Sequence, residues 1–432
     1  MGLRTRVGAA ALMLLAIFVL FAAAPGPAGA DPKYSDKKLK KLLKKELATK
    51  GLTAKGISAC KPKGKKVIIC RWRAKGTFPG DIPYECAGRA KFAVKSKTWT
   101  IDPCQSINEP MMPLGPVQPH PLFGFNEDWN LHYDAFDQLP GIGANIARQG
   151  LFWEAVERNP GQPYDWSEMD ALYNGFLARG IRPLWVLYAA PCWAQGGTCE
   201  TGAHPTEAFY DEFAAFAAAG AQRYPESVGF EIWNEPNFRL YWGGDPDPES
   251  YARMIQAVAP AIKAVDPTVP VLTAALSPHI NTEANAMAYN EFLRRVYDTG
   301  APLLTDAIGT HPYPNRRFTE DYLGNIRVNL YRTFNVMENH GDGAKPIWVT
   351  ETGVSNQGDD EAFEPNQQAE ALANIYNMLR RIAHPIPVVV FHRFLDKPND
   401  PRIKEQGYGV LTGSGNRKPA YCAIAAVRDV PC

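Results

Sequence analysis

Signatures of metal and nucleotide binding are missing from this chain. Its eight cysteines include no CxxC pair and its eight histidines are scattered, so no zinc ribbon and no His/Asp metallohydrolase centre can be assembled from spacing. No glycine-rich phosphate loop follows the first strand-like run, which argues against a nucleotide-binding, doubly wound sheet. No nucleic-acid recognition motif is present, and nothing in the pattern requires a cofactor. Past residue 30, no apolar run could span a bilayer. Net charge is almost absent too, at +1 from 46 Lys and Arg against 45 Asp and Glu.

That balance hides an asymmetry. Residues 31–104 carry 20 Lys and Arg against 6 Asp and Glu, whereas residues 105–432 carry 24 against 39. The chain reads as a basic head on an acidic body. Ahead of both, residues 1–30 have the pattern of a secretory signal: Arg4 and Arg6, an apolar stretch over 7–24, and Ala28-Gly29-Ala30 before Asp31. The apolar stretch is also long enough to serve as an uncleaved anchor. Either way the expected location is extracellular or at the cell envelope. All eight cysteines follow this segment, and an even number in an exported chain predicts disulfides. Proximity suggests the pairs Cys60–Cys70, Cys86–Cys104, Cys192–Cys199 and Cys422–Cys432.

In the head, 31–104, Ser35 can cap a helix running to about Lys50, with Leu39, Leu42, Leu43 and Leu47 on one face and lysines over much of the rest. Strand-like pieces follow at 67–72, 85–94 and 98–101, separated by lysine-rich turns at 61–66 and 95–97. This predicts a small α+β unit with a thin core, stapled by disulfides. Its charge suits adhesion to an anionic envelope polymer or acidic lipid; a solvated surface, or docking onto the acidic body, would use the same lysines. Residues 105–121 hold five prolines and no periodic apolar pattern, and are assigned as a linker.

From 122 to 432, apolar runs at 122–125, 144–151, 183–188, 228–233, 269–274, 306–310, 346–350 and 388–391 alternate with helical patterns at 166–178, 207–224, 250–265, 287–298, 320–338 and 367–382. Eight strands separated by helices over some 300 residues predict an α/β fold, a (β/α)8 TIM barrel. In such barrels the reacting groups sit at the C-terminal ends of the strands.

That rule selects candidates. The fourth strand meets Asn234-Glu235-Pro236-Asn237, where Pro236 cannot donate to a sheet ladder. Glu235 is thereby left at the strand tip, and apolar, aromatic surroundings favour the protonated form of a carboxyl group, as a proton donor needs. The seventh strand ends in Glu351, and strands four and seven face one another across a closed eight-strand barrel. Arg148, in the apolar second strand, needs an anionic partner because it cannot lose its charge. His311 and Tyr313 point at the same mouth from the sixth strand. A loop closed by Cys192–Cys199 would set Trp193 at the rim. Trp242, with Phe238 and Tyr241, could stack on sugar faces or pack beneath its loop.

Trp233-Asn234-Glu235-Pro236-Asn237 together with Thr350-Glu351-Thr352-Gly353, His311-x-Tyr313 and Arg148 resembles the clan-A retaining glycoside hydrolases, most closely family 39 and its cellulase-like neighbours. Tyr408-Gly409-Val410-Leu411 and Lys418-Pro419-Ala420-Tyr421 resemble the segment that closes their barrel. The likeness covers about 122–428 and leaves the head out. It implies a double displacement with Glu235 as acid/base and Glu351 as nucleophile, acting on a β-linked glycan or glycoconjugate without metal or cofactor. It further implies that Arg148 keeps Glu351 ionised, that Tyr313 donates to the same carboxylate, that Asn234 meets the sugar 2-hydroxyl, and that His311 lines the site. One departure stands out: many relatives end the eighth strand with a Trp beneath the reacting sugar, whereas this chain has Phe391-His392-Arg393-Phe394, so Phe391 is expected to stack and His392 to add a titratable group. A transglycosylase could use the same carboxylates, and a non-catalytic polysaccharide-binding protein could retain the barrel; intact Glu235, Glu351 and Arg148 favour an enzyme.

Overall fold

The computed structural model describes residues 35–432 apart from 50–52, 59, 64–66, 79–81, 102–104, 107–109, 128–132, 198, 280–281, 283, 315–321 and 359–361. The signal-like residues 1–30 and the expected Cys86–Cys104 pair lie outside what is described. Among the described residues no helix is long and apolar enough to cross a membrane. The chain divides into two compact units, the first comprising residues up to 76 and 88–102 and the second residues 77–87 and 103–432.

The first unit opens with the helix Asp36–Thr49, whose first turn is capped by Ser35: its hydroxyl accepts from the Lys38 amide at 3.3 Å. Leu39, Leu43 and Leu47 recur at every fourth position and are buried, whereas Leu42, expected on the same face, is exposed. The antiparallel strands are β1 (Thr53–Ile57), β2 (Lys61–Lys63), β3 (Val67–Phe78), β4 (Ile82–Ala93), β5 (Thr98–Ile101) and β6 (Gln105–Ser106), with β1-β3-β4-β5 in order, β2 on β3 and β6 on β4; β6, the last two residues of β3 and the part of β4 before residue 88 fall in the second unit. Residues 61–63 are therefore sheet rather than turn, because Lys61 and Lys63 pair with Ile69 and Val67. Phe92 and Trp99 pack together beside Leu39 and Ile68, and Cys60–Cys70 ties this small core.

In the second unit, β7 (Leu122–Asn126), β8 (Ile146–Phe152), β9 (Arg182–Tyr188), β10 (Gly229–Ile232), β11 (Val271–Leu276), β12 (Ala307–Thr310), β13 (Ile347–Thr352) and β14 (Val388–His392) close into a parallel barrel, with β14 hydrogen-bonded to β7. Helices Ser167–Leu177, Tyr210–Arg223, Pro248–Val265, Tyr289–Asp298, Tyr322–Asn339 and Pro365–Leu379 alternate with the strands, within a few residues of the predicted spans. This is the (β/α)8 TIM barrel expected from the sequence. The strands are buried from inside and outside and are accordingly rich in apolar residues, with buried polar exceptions such as Arg148, Gln149, Glu231, Thr273 and Thr350.

The two-residue period of the strands sorts what points into the barrel. Ile146, Leu184, Leu272, Ala307, Trp348 and Val388 form one interior apolar layer. Two residues further along β8, Arg148 follows Ile146. On β10, Glu231 pairs with Val186, one inward step above Leu184 on β9. The barrel floor is thus apolar, and its upper layers turn polar towards the strand C-termini.

The proline-rich segment 110–121 lies along the barrel. Met112 is buried and its amide donates to the Arg327 carbonyl at 3.0 Å; Gly115 and Gln118 donate to the carbonyls of Arg381 and Arg380 at 2.6 and 2.8 Å. The return bond runs from the Ala383 amide to the Pro113 carbonyl at 2.9 Å. At the other end of the chain, helix Pro419–Val427 carries the Cys422–Cys432 disulfide, and Tyr421 donates to the Gln138 carbonyl at 2.7 Å.

Candidate active site

Strand β10 stops at Ile232, four residues before Pro236, because Trp233 adopts a left-handed backbone with φ of 77°. The reversal sends the Trp233 indole outward among Tyr188, Phe213 and Trp242, where its N–H donates to the Tyr241 carbonyl at 2.9 Å. Asn234 and Glu235 are then delivered to the cleft, with Glu235 also left-handed at φ of 41°. Such conformations cost free energy for non-glycine residues and persist where surrounding contacts over-determine them. Here Asn237 supplies that support, donating to the carbonyls of Ser277 and Met287 at 2.9 and 3.0 Å and accepting from the Ser277 amide at 2.8 Å.

One oxygen of Glu235, one oxygen of Glu351 and one nitrogen of His311 all lie within 4.8 Å of one another. His311 Nδ1 is 2.8 Å from Glu235 Oε1 and 3.8 Å from Glu351 Oε2. Its Nε2 is buried with no hydrogen-bond partner among the described residues, so the ring is held through the Nδ1 contact with Glu235. Glu351 accepts from Arg148 Nη1 at 2.6 Å and from the Tyr313 hydroxyl at 2.8 Å. Burial alone would push the Glu351 carboxyl up, but the charges of His311, Arg148 and His392 and the Tyr313 hydrogen bond outweigh it and hold it at about 2. Burial, reinforced by the Glu351 charge, raises the Tyr313 phenol well above its ordinary range, so it remains a donor.

Arg148 is the hub. Nε donates to Glu231 Oε2 at 2.8 Å, Nη2 to Asn234 Oδ1 at 2.8 Å, and Nη1 also reaches Asn126 Oδ1 at 3.0 Å. Burial opposes its charge, yet the attraction of Glu231 and Glu351 more than offsets that and its pKa is raised. Glu231 is fully buried and is completed by the Ala275 amide and the Thr350 hydroxyl at 2.9 and 3.0 Å. A divalent ion held by Glu235, His311 and Glu351 would have to displace this guanidinium from Glu351 or share the site with it, so the charge pattern disfavours a metal.

These groups open into a cleft of about 480 Å³ lined by both sets of strand tips and by residues 393–408. Arg148, Asn234, Glu235, Tyr313, Glu351 and His392 all line it, and His311 sits immediately beneath. Three expected sugar contacts do not. Trp193, within the loop that Cys192–Cys199 closes, packs edge-on against Trp153 and Phe209. Trp242 is buried and stacked on His204, with Trp233 and Tyr251 on its other sides. Phe391 is buried against Phe123 and Phe125, because alternation along β14 turns it outward and turns His392 inward. His392 Nδ1 lies 3.2 Å from Asn126 Nδ2 and its Nε2 3.0 Å from Glu405 Oε2.

Phe238 and Tyr241, named with Trp242 from the sequence, line the cleft, whereas Asn126, Glu231, Tyr188, Arg402 and Glu405 belong to the cleft or its support and were not singled out from the sequence. Asn126 ends β7 and could have been found by the strand-tip rule. Glu231, charged within an apolar run and two residues from the next inward position, carried the same kind of signal as Arg148. Glu405 and Arg402 come from a loop with no periodicity to read.

Residues 116–382 match the family Cellulase (glycosyl hydrolase family 5). Among solved structures, a family 39 glycoside hydrolase from the gut symbiont Bacteroides cellulosilyticus WH2 aligns at TM-score 0.58 and 20% identity, covering 87% of this chain and 80% of that one. A GH39 enzyme from Xanthomonas axonopodis pv. citri aligns at 0.56 and 19%, covering 74% and 68%. A GH39 beta-xylosidase from Caulobacter crescentus aligns at 0.54 and 22%, covering 74% and 73%. At these identities the structural likenesses speak to the fold.

Proposed function

Because the chain belongs to the cellulase family, glycosyl hydrolase family 5, we propose that it is a secreted, retaining O-glycoside hydrolase that cleaves a β-linked glycan or glycoconjugate by double displacement. The observation that carries this reading is the approach of Glu235 and Glu351 to within 4.8 Å. Retaining enzymes need two carboxyl groups about 5–5.5 Å apart, whereas inverting ones leave room for water at about 6.5–9.5 Å.

In the first step Glu235 gives its proton to the glycosidic oxygen, the C–O bond breaks, and a Glu351 oxygen bonds to the anomeric carbon. In the second, Glu235 takes a proton from water, the water oxygen attacks the same carbon, and Glu351 leaves as a carboxylate. Arg148 and Tyr313 keep Glu351 anionic for attack and stabilise it as a leaving group. Asn234 Oδ1 is committed to Arg148, which directs its amide N–H groups towards the sugar 2-hydroxyl. His311 holds Glu235 through Nδ1. Export is part of the proposal, supported by the signal-like residues 1–30 and by three disulfides among the described residues.

A panel of aryl β-glycosides identifies a turned-over sugar, and proton NMR of the first product reports its anomer. The corresponding 2-fluoro glycosyl fluoride should then trap a covalent adduct, mapped by peptide mass spectrometry to Glu351. An inverted product, or an adduct on another residue, would overturn the assignment.

A further inference from the structure

We propose that the outer face of helix Asp36–Thr49 is a binding surface for a linear anionic polysaccharide. Its inner face is committed to the core of the first unit, with Leu39, Leu43 and Leu47 at 2%, 0% and 0% exposure. At 100° per residue, Lys37, Lys41, Lys44 and Lys45 fall within about a 100° arc on the opposite side. All four are exposed, and none has a hydrogen-bond or ion-pair partner among the described residues. The neighbouring Lys40 is different, since Asp36 pairs with it at 2.9 Å.

Like charges four residues apart, as in Lys37/Lys41 and Lys41/Lys45, oppose helix formation. A ligand that brings fixed negative charge along the face removes that repulsion. The four ammonium groups span about 12 Å of helix axis at 1.5 Å per residue, which suits a repeating polyanion rather than a single small anion. A membrane is the poorer fit. Surface helices bind bilayers by burying their apolar face, and here that face is already occupied, with only Leu42 exposed at 38%. The choice of a polysaccharide over other polyanions rests on the glycosidase reading of the barrel. A module that holds the polymer raises its effective concentration at a covalently linked active site.

The test uses the full chain silenced by Glu351→Gln, so that binding is read without turnover. Retention on immobilised polygalacturonate at 50 mM salt and release by 500 mM salt are expected. The quadruple variant Lys37→Gln/Lys41→Gln/Lys44→Gln/Lys45→Gln should bind about tenfold or more weakly. In the active background the same four substitutions should leave hydrolysis of a small aryl glycoside unchanged. No retention at low salt, retention indifferent to the four lysines, or tighter binding to vesicles of anionic lipid would each overturn the proposal. Lysine-dependent retention by a chain whose unsubstituted form hydrolyses no aryl glycoside would support the surface and count against the barrel assignment alone.

Discussion

Arg148 and Glu231 form an ion pair inside the barrel, Nε to Oε2 at 2.8 Å, with side chains only 3% and 0% exposed. Glu231 does not reach the cleft, yet it fixes the guanidinium that does. The second arm of that guanidinium grips Glu351, so the orientation of the proposed nucleophile is set three strands away.

Glu231→Gln should therefore act on stability first. It removes one of two anions from a buried cation, and breaking a buried pair from one side costs about 3–5 kcal/mol. Urea unfolding and thermal melts should register that loss. An unchanged melt would mean that Glu351 alone suffices to neutralise Arg148.

Arg148→Met should change the pH profile. The Glu351 carboxyl, held at about 2, lies below its ordinary value of 4.5. Its ionisation therefore favours the folded state above the ordinary range, and that contribution is lost as pH falls towards 2. Without Arg148, burial is less opposed and the carboxyl rises. The acid limb of kcat/KM should move up by at least about one pH unit. A limb that stays in place would separate Arg148 from the ionisation of Glu351.

Glu235→Ala should lower kcat by about 10²–10⁴ on substrates with poor leaving groups and much less on activated aryl glycosides. Azide should restore part of the rate and yield a glycosyl azide with retained configuration. Equal losses on both substrate classes, with no azide product, would remove Glu235 from the acid/base role.

Phe391→Ala and His392→Ala should differ in kind. Truncating the buried Phe391 should cost about 3–5 kcal/mol of stability. His392→Ala should instead lower kcat/KM by roughly tenfold, through loss of a charge-assisted contact beside Glu351, with a small change in melting temperature. Matching losses of stability in the two variants would contradict the opposite orientation of these neighbours.

The barrel was legible because each strand is buried on both faces and so appears as a predominantly apolar run. Glu235 and Glu351 were legible because each interrupts such a run at its C-terminal end, where this architecture collects its chemistry. Arg148 stood out for the same reason. The aromatic residues did not sort themselves. Trp193 and Trp242 lie in loops, where nothing periodic distinguishes a sugar platform from packing under the loop. Phe391 was a different case, because the alternation of Val388, Val390 and His392 already turned it away from the barrel interior. The chain reversal at Trp233, which aims Asn234 and Glu235, has no compositional mark: Trp is a poor residue for a left-handed backbone, and only the contacts formed after folding hold it there.

The strap over residues 110–121 has a practical consequence. An isolated catalytic body cut at residue 122 would empty the slot of Met112 and strand the carbonyls of Arg327, Arg380 and Arg381 that the strap now satisfies. Such a truncation should be more prone to aggregate and to melt early than one that starts at Pro110, although both would contain every residue of the cleft.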